Sequence, residues 1–183
     1  MTLAHGNQEH AKELRELVKI SAYRTIEQDP AFGIRQIVDV ALKALSPAIN
    51  DTTTAVMCID YLGAILAVVA PKTFPPLGLC RDARLRVLTI RPDFAALVRE
   101  PFDQIRRGGG GNLAIIDRMS STIEVIGSLT KEPERLRALA GQLDLLDELS
   151  EQTVAAPSER VAVRSQIAAI RGALAHGTLS ATA

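Results

Sequence analysis

Between Glu9 and Ile26, Leu14, Leu17, Val18 and Ser21 share one face of a helical wheel, and Glu13, Arg15, Glu16 and Lys19 share the other. That period predicts an amphipathic helix. It stops before Asp29-Pro30, which reads as the start of a second helix. The carboxylate accepts from orphan N–H groups, and proline at the first position gives up a donor that had no partner. From Pro30 to Leu45 the apolar residues Ile34, Ile37, Val38, Ala41, Leu42 and Leu45 cover a broad arc, leaving a polar strip of Arg35, Gln36, Asp39 and Lys43. Ser46-Pro47 ends this helix, because a residue before proline avoids the helical region. Asp51 then caps a third helix to about Val69, apolar all round except for Asp60. Two helices this apolar are expected to form the buried centre of the molecule.

Residues 70–92 break the helical pattern with Pro71, Pro75, Pro76 and Gly78, and Leu85–Ile90 reads as a short strand paired with Leu77–Arg81 in a hairpin. A fourth helix follows from Phe94 to Arg107 behind Asp93. Gly108–Gly111 reads as a flexible linker, and Asn112 caps a fifth helix to about Leu129. Glu134–Leu149 and Pro157 to about Leu174 form the sixth and seventh. The expected fold is mainly α: one helical domain over residues 1–175, a bundle of about seven helices with a small hairpin near 77–90. Residues 176–183 read as a disordered tail.

Composition narrows this picture. Hydrophobic residues make up 47% and aromatics 3%, so the core must be aliphatic, which favours packed helices over a sandwich of sheets. Basic and acidic residues number 21 each. A whole-molecule field for nucleic acid is therefore absent, and six scattered aromatics offer no stacking platform. Charge is nonetheless uneven: residues 71–111 carry eight basic and four acidic groups, and residues 131–160 four basic and seven acidic. Cys58 and Cys80 have no ligand-spaced partner and read as reduced thiols; no metal or other cofactor is implied. His5, His10 and His176 lie near the termini, away from any plausible catalytic centre. The start of the chain does not read as a signal peptide. The longest strongly apolar run, Tyr61–Ala70, is half the ~20 residues a spanning helix needs, so the chain by itself is expected to be soluble and cytoplasmic.

A stretch of about 40 residues then carries a resemblance. It contains Gln28-Asp29, Phe32-Gly33-Ile34-Arg35-Gln36, Ala44-Leu45-Ser46-Pro47, Asn50-Asp51, Thr54-Ala55 and Cys58-Ile59-Asp60, with a later Pro101–Arg107. These resemble the C-terminal soluble region of a bacterial family of predicted membrane proteins, domain of unknown function 2254. Thr52 stands where the family usually has proline, which suits the first helical position after a capping Asp51. Members carry N-terminal transmembrane helices and an intervening soluble segment, neither of which is read in this chain. The resemblance implies a non-catalytic cytosolic accessory or interaction domain of an inner-membrane protein. Its candidate partners are a second copy, a membrane protein or an anionic lipid surface, with the basic hairpin region facing the lipid. No nucleic acid is implied.

The remaining candidate chemistry is sparse. Asp60, alone on an apolar helix, cannot stay ionised in a core without a partner. It is expected to pair with Arg35 or Arg24, or with the backbone of the Ser46–Asn50 turn, in a buried pair whose loss would cost ~3–5 kcal/mol. Arg24, Asp29 and Ser46 complete this expected structural polar core. A competing reading gathers Arg35, Asp39, Asn50, Asp51 and Asp60 into a small-ligand, ion or hydrolytic site at the Ser46–Asp51 turn. A third is a truncated remnant without independent function. Arg106–Asn112 lacks the Lys-Ser/Thr and the preceding strand of a phosphate loop. Ser46, Ser120 and Ser121 have no nucleophile elbow, and Asp144, Asp147, Glu148 and Glu151 read as a solvated acidic face.

Overall fold

The computed structural model describes Ile26 and residues 29–176. The amphipathic helix expected over 9–26, Arg24, and the tail after His176 fall outside the described residues. Six helices and one hairpin follow in order: α1 (Pro30–Ala44), α2 (Thr52–Val69), β1 (Gly78–Arg81), β2 (Arg84–Leu88), α3 (Phe94–Gly109), α4 (Leu113–Ser128), α5 (Pro133–Thr153) and α6 (Pro157–His176). The protein is mainly α, with six described helices where seven were expected.

Local chemistry sets the helix starts. Asp29 accepts from the amides of Ala31 and Phe32 at 3.0 and 3.3 Å, with Pro30 in the first turn. Asp51 accepts from the Thr54 amide at 3.0 Å, Asp93 from Ala96 at 2.7 Å, and Asn112 from Ala114 at 3.1 Å. Each satisfies a donor that the first turn leaves without an intrahelical partner. The Asn112 amide also donates to the Thr52 hydroxyl at 2.8 Å, tying the start of α4 to the start of α2.

The centre of the bundle is α4, a correction to the expectation that the first two central helices would be α1 and α2. α4 packs against α2, α3, α5 and α6. It buries eight of its sixteen residues, among them Ile115, Ile116, Met119, Ile123 and Ile126. α2 packs mainly on α1 and α4 and buries six of eighteen: Ala55, Cys58, Ile59, Leu62, Gly63 and Leu66. Met57, Tyr61, Ala64 and Val68 lie on its opposite side and are exposed. An all-apolar helix carries no internal signal of which side faces out, so its neighbours decide. The core itself is aliphatic as composition required, with Phe94 and Phe102 its two aromatics.

The glycine run is also corrected. It is a packed corner instead of a flexible linker. Gly108 and Gly109 complete the last turn of α3, and Gly110 takes φ +51°. A Cβ on Gly108 would lie 2.9 Å from Leu42 of α1, and one on Gly111 would lie 2.7 Å from the Thr153 carbonyl at the end of α5. Gly108, Gly109 and Gly111 make room for neighbouring elements, whereas Gly110 has open space around it and is required by its positive φ.

The hairpin stands apart from the bundle. β1 and β2 pair antiparallel, Gly78 with Leu88 and Arg81 with Arg84, with a bulge between Leu79 and Cys80. The turn residues Asp82 and Ala83 both have positive φ, the conformation whose twist matches a two-residue hairpin. The strands pack on each other and on no helix. Their base is held by cations on rings. Arg91 lies 4.8 Å from the Phe74 ring, and Arg135 of α5 lies 5.1 and 5.3 Å from Phe74 and Phe94. Arg135 also donates to the carbonyls of Ala70 and Lys72 at 2.5 and 2.8 Å. The irregular segment after α2 is thereby fastened to α5.

Candidate functional site

The Ser46–Asp51 turn is a surface corner, not a buried polar break. Pro47, Ala48, Ile49 and Asn50 are exposed. The Ser46 hydroxyl donates to the Lys43 carbonyl at 2.8 Å, and the amides of Ile49 and Asn50 donate back to Ser46 at 3.0 and 2.8 Å. Asn50 has φ +47°, a left-handed conformation that asparagine tolerates better than most residues. Its presence has a backbone reason. The Thr54 hydroxyl and amide both donate to Asp51 and hold its carboxyl below the usual carboxylate range, the hydroxyl contributing most.

The other candidates separate. Arg35 pairs with Glu100 of α3, both partly exposed, at 53% and 39%. Asp39 is exposed on the outer side of α1. Asp60 lies nine residues into α2 from Asp51, about 13 Å along the axis. Its partner is neither Arg35 nor the turn but Arg118 of α4, whose guanidinium donates a 2.7 Å hydrogen bond to one carboxylate oxygen while its Nε forms an ion pair with the other. Arg118 is pushed above its ordinary pKa by that hydrogen bond and by the Asp60 charge, with a smaller contribution from Asp117. The two side chains are 42% and 46% exposed, so the expected buried pair is a surface clamp. The apolar arc of α1 faces α2 and α3, which leaves Arg35 on the rim and out of reach of Asp60. Asp29 caps the start of α1, and Ser46 bonds back to the Lys43 carbonyl at its end; Arg24, the third residue of the expected polar core, lies outside the described residues.

What the fold does assemble is a shallow trough between α2 and α4. It has a volume of about 210 Å³. Gly63, Ala64 and Ala67 form its α2 wall and Ser121, Thr122 and Val125 its α4 wall, with the Asp60–Arg118 pair also lining it. The helices touch at its floor, where a Cβ on Gly63 would lie 2.6 Å from the Thr122 methyl. Beside the trough runs the ridge of Met57, Tyr61 and Val68, with Tyr61 60% exposed. On the other bank Val125 is exposed as well. Arg118 and Thr122 were not singled out from the sequence. Their spacing with Ser121 and Val125 places them on one face of α4, but nothing local says that Asp60 lies opposite.

Other chemistry is sparse. Among the described residues no group of three His, Cys, Asp or Glu side chains could hold a metal ion. Cys58 is buried, and burial raises its thiol pKa, which disfavours the thiolate; Cys80 is exposed. The acidic side of α5 faces arginines of α6. Asp147 and Glu151 meet Arg164, and Asp144 meets Arg171. It is a cross-helix ladder more than a free solvated face.

The family described as "Predicted membrane protein (DUF2254)" matches residues 1–124. The chain belongs to this family. Three uncharacterised relatives, two from Mycobacterium tuberculosis (strains H37Rv and CDC 1551) and one from Mycobacterium bovis, are each 32% identical over 147 residues. The match covers 80% of this chain and 28% of each relative, so the chain spans little more than a quarter of their length. No solved structure matches. For a DUF2254 chain one helix acquires added interest. Thr52–Val69 is long and apolar enough to cross a membrane by length and composition. The core helix of a soluble protein passes the same test, and α2 packs against α1 and α4. The full helix is 18 residues long, with Asp60 its one charge.

Proposed function

We propose that this DUF2254 chain is a non-catalytic interaction domain on the cytosolic side of the family's membrane, working by contact, and that the α2–α4 face is where a second copy docks. The bare ridge of Met57, Tyr61 and Val68 carries this reading. It occupies one line of α2 about 16 Å long, next to a trough floored by small residues. Ridge and trough side by side on one face suit a two-fold contact, in which each copy lays its ridge in the other's trough. The Asp60–Arg118 pair gives the face both signs of charge, so an identical face opposes no net charge. The separation of Arg35, Asp39, Asn50 and Asp51 from Asp60 favours contact over a ligand or hydrolytic site at the turn.

Sedimentation equilibrium tests the reading. The wild-type chain is expected to show a reversible monomer–dimer equilibrium that Tyr61→Asp weakens tenfold or more, about 1.4 kcal/mol. Ala64→Cys, in a Cys80→Ser background, is expected to form a disulfide-linked dimer under mild oxidation. A wild-type chain that stays monomeric at about 1 mM would overturn it.

A further inference from the structure

A second surface, remote from the α2–α4 face in chemistry and in sequence, is the hairpin. Strand pairing sorts its side chains. Cys80 opposite Leu85, and Gly78 opposite Leu88, point to one face. Continuing the alternation past β2 puts Ile90 on that face too. Leu85, Leu88 and Ile90 are all exposed, Ile90 at 99%. Leu85 leans over Gly78, where a Cβ would lie 2.8 Å from its methyl, so the face is a continuous aliphatic strip. Arg81 and Arg84 flank the turn at its tip, and Arg86 sits at the bulge; all three are exposed and none makes an ion pair with a described residue. Between Leu77 and Arg91 there are four arginines and one acid, Asp82, for a net charge of +3 in a chain whose total is zero.

We infer that this hairpin is a membrane-surface arm that inserts its Leu85–Leu88–Ile90 face among the headgroups of an anionic bilayer, while Arg81, Arg84 and Arg86 bind lipid phosphates. Two features select this occupant. Unpaired guanidiniums seek phosphate oxygens, which they bind through two donors at once. An exposed aliphatic strip seeks hydrocarbon, and the two together are the requirements of an interfacial anchor. Nucleic acid would satisfy the arginines but leave leucines and isoleucine against polar backbone. An acidic protein surface would do likewise. The arm's isolation from the bundle lets it insert without disturbing the core. The ring-stacked Arg91 and Arg135 at its base fix its direction. The inference uses a different surface from the proposed dimer contact and stands or falls separately from it.

The test uses the whole chain with vesicles of phosphatidylcholine containing about 30% phosphatidylglycerol, or phosphatidylcholine alone, at low and high salt. Partitioning is read by co-sedimentation. Insertion is read from an environment-sensitive fluorophore on Cys80, the exposed one of the two thiols. Binding is expected only to the anionic vesicles, to weaken with salt, and to shift the fluorophore to the blue. Each arginine changed to glutamine should lower partitioning about fivefold, and the triple variant R81Q/R84Q/R86Q about a hundredfold. Leu88→Asn with Ile90→Asn should abolish the blue shift while leaving the salt dependence in place. Equal binding to both vesicle types, no binding at low salt, or undiminished binding by the triple variant would overturn the inference. So would hairpin arginines that prove necessary for self-association without vesicles. The wild-type comparison of the two vesicle types decides the matter even should a variant fold poorly.

Discussion

Replacing Gly63 with alanine sets two effects of known size against each other. In an open helix interior, Gly→Ala stabilises by about 1 kcal/mol, because glycine loses more backbone freedom on folding. At Gly63 the added methyl would sit 2.6 Å from the Thr122 methyl, more than an ångström inside ordinary contact. Thr122 is buried and β-branched, with little rotamer freedom to yield. Overpacking of that kind costs ~1–3 kcal/mol. Net destabilisation of about 1 kcal/mol is expected, a drop of roughly 0.5 M in urea midpoint for a slope near 2 kcal/mol/M. Gly141 of α5 has nothing within 4 Å of its Cβ position and provides the control. Gly141→Ala should raise the midpoint by a comparable amount. The same Gly63→Ala change made in a Thr122→Ser background, which removes the offending methyl, should become neutral or stabilising. The two positions would then show a coupling of ~1–3 kcal/mol in a double-mutant cycle. If Gly63→Ala raises the midpoint as Gly141→Ala does, α2 and α4 do not touch at that point, and the floor of the trough has been misplaced.

Other outcomes follow from the same geometry. Gly111→Ala, which meets the Thr153 backbone, should destabilise by ~1–3 kcal/mol in urea melts, whereas a flexible linker would accept alanine without loss. Asp60→Ala and Arg118→Ala should each cost only ~0.2–1 kcal/mol, the range of exposed pairs, against the several expected of a buried one. A loss above about 3 kcal/mol in either variant would mean that the pair is desolvated. The Asp51 cap is a depressed carboxylate, so its contribution is complete above the unfolded value of 3.8 and fades as pH falls through the lower folded value. The melting-temperature gap between wild type and Thr54→Val should therefore hold steady at neutral pH and close in acid below 3.8. A gap that persists unchanged into strong acid would show that the Thr54 hydroxyl does not act through the Asp51 charge.

Helix starts were legible in the sequence because capping is local. Asp29, Asp51, Asp93 and Asn112 each bond to amides no more than three residues ahead, so a short window holds the whole interaction. The hairpin was legible for the same reason, its two strands and turn lying within a dozen residues of one another. The aliphatic character of the core followed from composition. What no window could hold was the pairing of distant surfaces. The partner of Asp60 lies 58 positions away, and Arg35 finds its own 65 positions away on α3. Apart from Asp60, α2 is apolar on every side, so its sequence says little about which line of residues to bury. Only the approach of α1 and α4 left Met57, Tyr61 and Val68 outside. Gly108 and Gly111 read as freedom in one dimension and are clearance in three, because the Leu42 side chain and the Thr153 backbone they make room for belong to helices elsewhere in the chain.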